Sequence, residues 1–439
     1  MEKFTANKLY EHEVKKRNNT YLYILGSIFL YALFAFDRVK NSFSFHVDNK
    51  VTTNEVWIIP ILCLVIFFIG KSNPLESIKK YNLIFLVLIY MYILNIAVSG
   101  FHINSIAQYI YAGLLFIIPM LLFFPMSKCK SDDIRIIIKF FIVICLIYAV
   151  FAIILSTNYA YFMELVGNDV TNYRFSAQYR ASMMLGSSIT VSYYFNLTLP
   201  LCFYIYFTDK ERSWRIISLL AIIIIIIATL VLLSRTATLC TLLITLYFLI
   251  FIKNEKTKIS GNISIICVVI AALFYAFSNY DLTRLLGGLS FSGDSEIARL
   301  EATSLGLYIF SKYPLFGSGM GNFFERIYET RFISVDDITG LIDPHNMYIL
   351  ILSELGIMGF VITLILFCLL IKRFSGIKEK ALRRTAYIIL FAFLFDAMGG
   401  SHFVNEISYS VVFWIYMGFF NSIAITDIKN KKSLHKVTK

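Results

Sequence analysis

The sequence predicts an all-α polytopic membrane protein, and three observations carry the prediction. Of its 439 residues 58% are hydrophobic and only 15% charged, a balance too apolar for a soluble globular domain. Apolar segments of spanning length recur along the whole chain. The basic residues between them alternate in density from one connection to the next, as when successive loops lie on opposite sides of a membrane. Helices packed in lipid share one bundle, so residues 1–439 read as a single transmembrane domain.

Crossing about 30 Å of hydrocarbon takes roughly 17 to 25 helical residues. Segments that meet this requirement fall near 20–36, 54–70, 82–99, 106–125, 134–156, 182–207, 215–233, 236–252, 262–280, 345–371, 383–399 and 405–425, about twelve spans. The seventh and eighth meet at Ser234 with almost nothing between them. The charged stretch from Met1 to Thr20 is followed by an apolar run without a small-residue cleavage site, which reads as an uncleaved first helix. Residues 281–344 form a large late extracytoplasmic loop between the ninth and tenth helices. Within it, Ser295 to Lys312 reads as an amphipathic helix with Glu296, Arg299 and Thr303 on its polar face, stopped by Pro314. A shorter outer loop near 156–181 carries Arg174 and Arg180. All but one of the seven cysteines lie in apolar runs, and no CxxC or Cys/His spacing suggests a disulfide framework or a zinc site.

The formal charge of +12 is spread in a way that argues against nucleic acid as a partner. With the amino terminus placed inside, the inner segments carry 28 basic residues, the outer ones eleven, and Lys139 lies within a helix near its inner end. Both termini are therefore expected to be cytoplasmic. The inner set is dominated by lysine, whereas the outer set holds eight arginines against three lysines. Lysine satisfies the topology rule as a point charge, but guanidinium offers a rigid fork that matches phosphate oxygens. An arginine-selected outer face points to an anionic, phosphate-bearing ligand. The plainer alternative is that these arginines reach toward headgroups or pair with loop carboxylates.

The most informative stretch runs from Asp343 to Gly359, DPHNMYILILSELGIMG. Asp343 is expected as N-cap and Pro344 at the first helical position, where a missing N–H costs nothing. His345 would then occupy the first turn, beside the positive helix end, which favours a neutral imidazole able to accept a proton and an anion nearby. Alternatively it is a polar interface residue without chemistry. Glu354 lies nine residues on, about 13 Å deeper, and needs a partner or a water-filled cavity; a structural anchor is an equally good reading. Asp396 poses the same question. Arg235, in LLSRTATL between two apolar runs, can hold a lipid diphosphate at the outer surface or simply punctuate a hairpin. The glycine run PLFGSGMGNF (314–323) lacks the preceding strand and following Gly-Lys-Ser/Thr of a nucleotide loop and reads as tight packing. No outer DxD or HExxH recommends a metal.

These residues resemble a family. HNMYILILSELG looks like the His-Asn, then Glu-x-Gly signature of the bacterial O-antigen polymerase and ligase superfamily; ARLEATSLGLYIFSKYPLFGSGMGNF and SRTAT resemble its preceding stretches. The likeness is best over 234–359, with isoleucine at 349 where leucine is usual. It implies a GT-C-like, metal-independent glycosyltransferase of the bacterial inner membrane that needs no cofactor and takes undecaprenyl-diphosphate-linked glycan as donor. By resemblance, Arg235 and Arg299 bind the diphosphate and His345 activates the acceptor hydroxyl on the periplasmic face. Arg174, Arg180, Glu354 and Asn346 are secondary candidates, and a chain-length regulator protein is a candidate partner. Ligases of this superfamily often carry a second histidine two residues before the signature one; Asp343 stands there, which favours polymerase. A ligase acting on lipid A core and a lipid-linked oligosaccharide flippase remain as alternatives, the latter kept open by Glu354, Asp396 and Lys139.

Overall fold

A computed structural model of the chain describes residues 45–47, 50–52, 119–120, 123–127, 131–157, 171–172, 180–181, 188–232, 234–251, 294–323, 326, 344–400 and 407–437. Apart from two short antiparallel ladders, β1 (Phe45–Val47) with β2 (Lys50–Thr52) and β3 (Thr171–Asn172) with β4 (Arg180–Ala181), these residues build helices and their connections. The helices are α1 (Phe123–Met126), α2 (Ser131–Thr157), α3 (Ser188–Thr208), α4 (Arg212–Val231), α5 (Arg235–Phe251), α6 (Asp294–Lys312), α7 (Met347–Phe374), α8 (Lys380–Asp396) and α9 (Ile407–Val437). Four of the described helices, α2, α4, α7 and α9, contain stretches long and apolar enough to cross a membrane, and the protein is an integral membrane protein. The segments expected near 20–36, 54–70, 82–99 and 262–280, most of 106–125, and residues 281–293 and 327–343 of the expected outer loop lie outside the described residues.

α3 is the central post. It packs against α2, α4, α5, α8 and α9, and its residues from Thr190 to Phe207 are buried on every side. A helix enclosed by protein has no polar stripe to give to solvent, which accounts for a sequence of mixed aromatic, aliphatic and hydroxyl residues without clear periodicity. α5 differs. Leu239, Leu243, Leu246 and Ile250, spaced by three and four, form an exposed apolar stripe, the face that a lipid-contacting helix presents, while Ala237, Cys240, Ile244 and Phe248 face the core.

Aromatic rings fill the core between these helices. Phe203 of α3 stacks on Phe248 of α5 at 4.7 Å, and Phe393 of α8 stacks on Phe413 of α9 at 3.7 Å. Phe141 of α2 meets the edge of Tyr416 of α9 at 5.1 Å. Such contacts add about 0.5–1.5 kcal/mol each beyond the area they bury.

The tight connection from α3 to α4 is held by charge. Asp209 Oδ1 accepts the Glu211 amide at 3.0 Å, and Asp209 Oδ2 pairs with Lys139 Nζ at 3.0 Å and Arg135 Nε at 3.4 Å, both from α2. Lys139 also lies 4.7 Å from the centre of the Trp214 ring. The intrahelical lysine is thus part of a link between α2 and the α3–α4 turn.

Candidate functional site

The stretch around His345 departs from expectation at its start. The N-cap of α7 is Asn346, not Asp343: its side-chain oxygen accepts the amides of Tyr348 at 3.0 Å and Ile349 at 3.3 Å. His345 therefore precedes the helix instead of sitting in its first turn, and Asp343 lies outside the described residues. Asparagine caps as well as aspartate does, and the chain turns sharply enough just before it to make the later residue the start. That turn is at His345 itself, the one non-glycine among the described residues with positive φ, at 46°. A left-handed residue with a side chain costs energy unless its surroundings hold it there. The half-buried imidazole is thereby set at a corner just before a helix start whose first amides are already bonded, Tyr348 and Ile349 to the Asn346 side chain and Met347 to the Ala397 carbonyl.

α7 is two helices in series. At Gly356 the backbone leaves the helix, with φ 66° and ψ −168°, freeing carbonyls before the break and amides after it. The glycine run satisfies them. Ser318 and Gly319 donate their amides to the carbonyls of Ser353 at 2.8 Å and Glu354 at 3.0 Å, while Ile357 and Met358 donate to Pro314 at 2.9 Å and Leu315 at 3.2 Å. Gly317 and Gly356 allow the two backbones to touch, since a Cβ on either would collide with the opposite main chain. Glu354, 4% exposed, completes the joint by accepting the Phe323 amide on Oε1 at 3.2 Å. Arg326, buried and stacked 5.0 Å from the Tyr313 ring centre, belongs to the same loop.

α6 spans Asp294–Lys312 and ends before Pro314, close to the range expected. It lies along α7, with Gly306 pressed against Ile349 in the first turn of α7. Arg299, two turns earlier on α6, is exposed. Arg235 begins α5 and is also exposed, so its guanidinium and the first amides of that helix share one end. The next residue, Thr236, closes on Gly399, where a Cβ would stand 2.6 Å from its Oγ1. Ala397, two residues before Gly399, accepts the Met347 amide at 2.9 Å. The start of α5, the end of α8 and the start of α7 are therefore joined, and α6 is docked on α7 beside them. Of the sequence candidates, Arg235, His345 and Asn346 fall at this junction. Arg180 lies in β4 against α2, and Arg174 lies outside the described residues.

Sequence reasoning singled out Asp396 as needing a partner but missed that partner, Asn196, in the polar cluster under the junction. Asn196 of α3 donates its amide to both oxygens of Asp396, at 3.0 and 3.1 Å, and to the carbonyl of Ala237 at 3.1 Å. The signal was present: an asparagine in the aromatic run YYFNLTLP, one turn before Pro200, which has no N–H to give to the Asn196 carbonyl.

Residues 219–364 match a family model described as O-antigen ligase. The match, over about a third of the chain, supports the resemblance of this segment to the O-antigen ligase and polymerase superfamily. No curated protein matches the chain. The superfamily segment runs from α4 through the break in α7 and so contains Arg235, Arg299, His345 and the glycine joint; Asn196 and Asp396 lie outside it. The match supports an O-antigen ligase- or polymerase-type membrane enzyme, for which lipid-linked glycans are the implied substrates.

Proposed function

We propose that the chain is a polymerase that transfers undecaprenyl-diphosphate-linked glycan onto a lipid-linked repeat unit at the periplasmic face of the bacterial inner membrane. The observation that carries this reading is the junction itself: the Arg235 end of α5 and the His345 end of α7 meet through the Thr236–Gly399 contact and the Met347–Ala397 hydrogen bond. In this proposal the twelve-span topology with both termini in the cytoplasm puts the junction on the outer surface.

The acceptor hydroxyl attacks the anomeric carbon of the donor sugar as His345 takes its proton. The bond from that carbon to the phosphate oxygen breaks, and the diphosphate leaves with the electron pair. Arg235 and Arg299 hold the leaving group and stabilise the charge that develops on it, the task a metal ion performs in other glycosyltransferases. A strained corner suits the histidine, because a base held in one place by its backbone needs no search for the hydroxyl.

His345→Ala, Arg235→Ala and Arg299→Ala each leave the protein inserted in the membrane, judged by immunoblot, while long glycan ladders collapse to single repeats. Loss of one charge-stabilising group is expected to slow transfer by about 10²–10³-fold. Wild-type ladders from all three variants would refute the reading. The printed description of the matching family favours a second reading, ligase. A ligase null strain keeps long chains on undecaprenyl diphosphate, whereas a polymerase null strain accumulates single lipid-linked repeats. For a flippase those repeats stay on the inner leaflet. Lys139, Glu354 and Asp396, which kept that alternative open, each have partners within the protein.

A further inference from the structure

We propose that Asn196 and Asp396 are positioning residues, a buried clamp that fixes the Arg235 end of α5 relative to the His345 end of α7. The proposal rests on the roles given to Arg235 and His345 above. Both clamp residues are fully buried. The side-chain amide of Asn196 reaches Ala237, two residues from Arg235, and Asp396, next to Ala397. The Ala397 carbonyl takes the amide of Met347, two residues from His345. Every link between the two ends is thus a main-chain segment or a hydrogen bond of 3.1 Å or less.

The side chains around the clamp orient it. Thr241 Oγ1 donates to Asn196 Oδ1 at 2.5 Å, which forces the amide nitrogen toward Asp396 and Ala237. Tyr409 OH donates to Asp396 Oδ2 at 3.3 Å. Asparagine is suited to this place because it offers two donors and an acceptor on one rigid plane. If packing alone were at stake, apolar residues of the same size would serve as well or better, since burying a carboxylate is costly even when it is bonded. What the polar cluster adds is a defined register between helix ends. Gly399 closes the same side, because a Cβ there would stand 2.6 Å from Thr236 Oγ1 and 2.8 Å from the Tyr193 hydroxyl.

The exchange Asn196→Asp with Asp396→Asn isolates the clamp. It keeps one amide and one carboxylate in contact and leaves Thr241 and Tyr409 with acceptors, but it takes the donor away from the Ala237 carbonyl. Two measurements read the result. The first is the distance distribution between bio-orthogonal spin labels at the exposed positions Leu239 and Met398. The second is in vitro glycan transfer. The exchange is expected to widen the distribution and to lower kcat by about ten- to a hundredfold while KM stays within about threefold, as misplacement of reacting groups does. Thr241→Val, which releases the orientation of Asn196, is a milder variant with the same expected signs and decides the matter if the exchange does not insert. A wild-type distribution together with wild-type kcat in an inserted variant overturns the clamp. Widening of the distribution in a protein whose Arg235→Ala and His345→Ala forms still transfer glycan would uphold the clamp and refute the catalytic reading.

Discussion

Replacing Gly356 by alanine tests the joint in α7 most directly. The residue sits at φ 66° and ψ −168°, a region that essentially glycine alone occupies and that costs about 1–3 kcal/mol for any other residue. The added Cβ would also lie 2.5 Å from Gly317 N and Leu315 C. Because those neighbours are main-chain atoms, no rotamer change relieves the overlap, and overpacking contributes a further 1–3 kcal/mol or so. The two effects together predict a loss of roughly 2–6 kcal/mol. In detergent-solubilised protein, with a fluorescent fusion followed by size-exclusion chromatography after heating, that loss lowers the apparent midpoint by several degrees, on the order of 5 °C or more. Gly306→Ala is the control. Its obstruction is the Cγ2 methyl of Ile349, a side-chain atom that can give way only by a shift of that residue; since no main chain is blocked and Gly306 lies within a regular helix, its midpoint falls less. A Gly356→Ala protein whose midpoint lies within about 1 °C of wild type would refute the account of the joint.

Asn346→Ala removes the side-chain acceptor of two amides and is expected to cost about 1 kcal/mol, whereas Asn346→Asp keeps the cap and the stability; thermal midpoints of the two variants check this. For Asp209, burial pushes the carboxyl pKa up, but the Glu211 amide and the charges of Lys139 and Arg135 outweigh it, and the net shift is downward from 3.8. A carboxyl held lower in the folded state than in the unfolded one adds stability above about pH 3.8, and that stability is lost as pH falls through the folded value. Asp209→Asn is therefore less stable than wild type at neutral pH, and the gap narrows below pH 3.8. A gap that stays constant from pH 7 to pH 3 would sink this explanation.

The described spans were legible because lipid demands long apolar runs. The segments expected at 134–156 and 215–233 appear as Ser131–Thr157 and Arg212–Val231, and Pro314 marked the end of α6 by chemistry that acts within a few residues. The break at Gly356 was not legible. A glycine in an apolar run is compatible with a continuous helix, and the backbone groups that make the break affordable come from residues nearly forty positions earlier in the chain. The cap at Asn346 was missed for a related reason, since Asp343, Pro344 and Asn346 are all good starting residues and the turn at His345 decides among them. At the site, Arg235 and His345 were readable as charged and titratable residues at the edges of apolar runs. Asn196 was not, because an asparagine within a helix declares its purpose only through what lies across from it.

The order in which the joint is made follows from where its halves lie in the chain. Residues 314–319 leave the ribosome before residues 353–358, so the strip of carbonyls and amides that the broken helix requires already exists when that helix emerges. Until the two meet, the stretch from Met347 to Phe374 has every incentive to form one uninterrupted rod, since an unpaired peptide group is expensive in hydrocarbon. Docking of the loop removes that incentive and trades helical hydrogen bonds for those of the joint. The bend therefore records a late event in assembly, and a chain cut between Asn322 and Pro344 is expected to straighten at Gly356 unless the two fragments find each other.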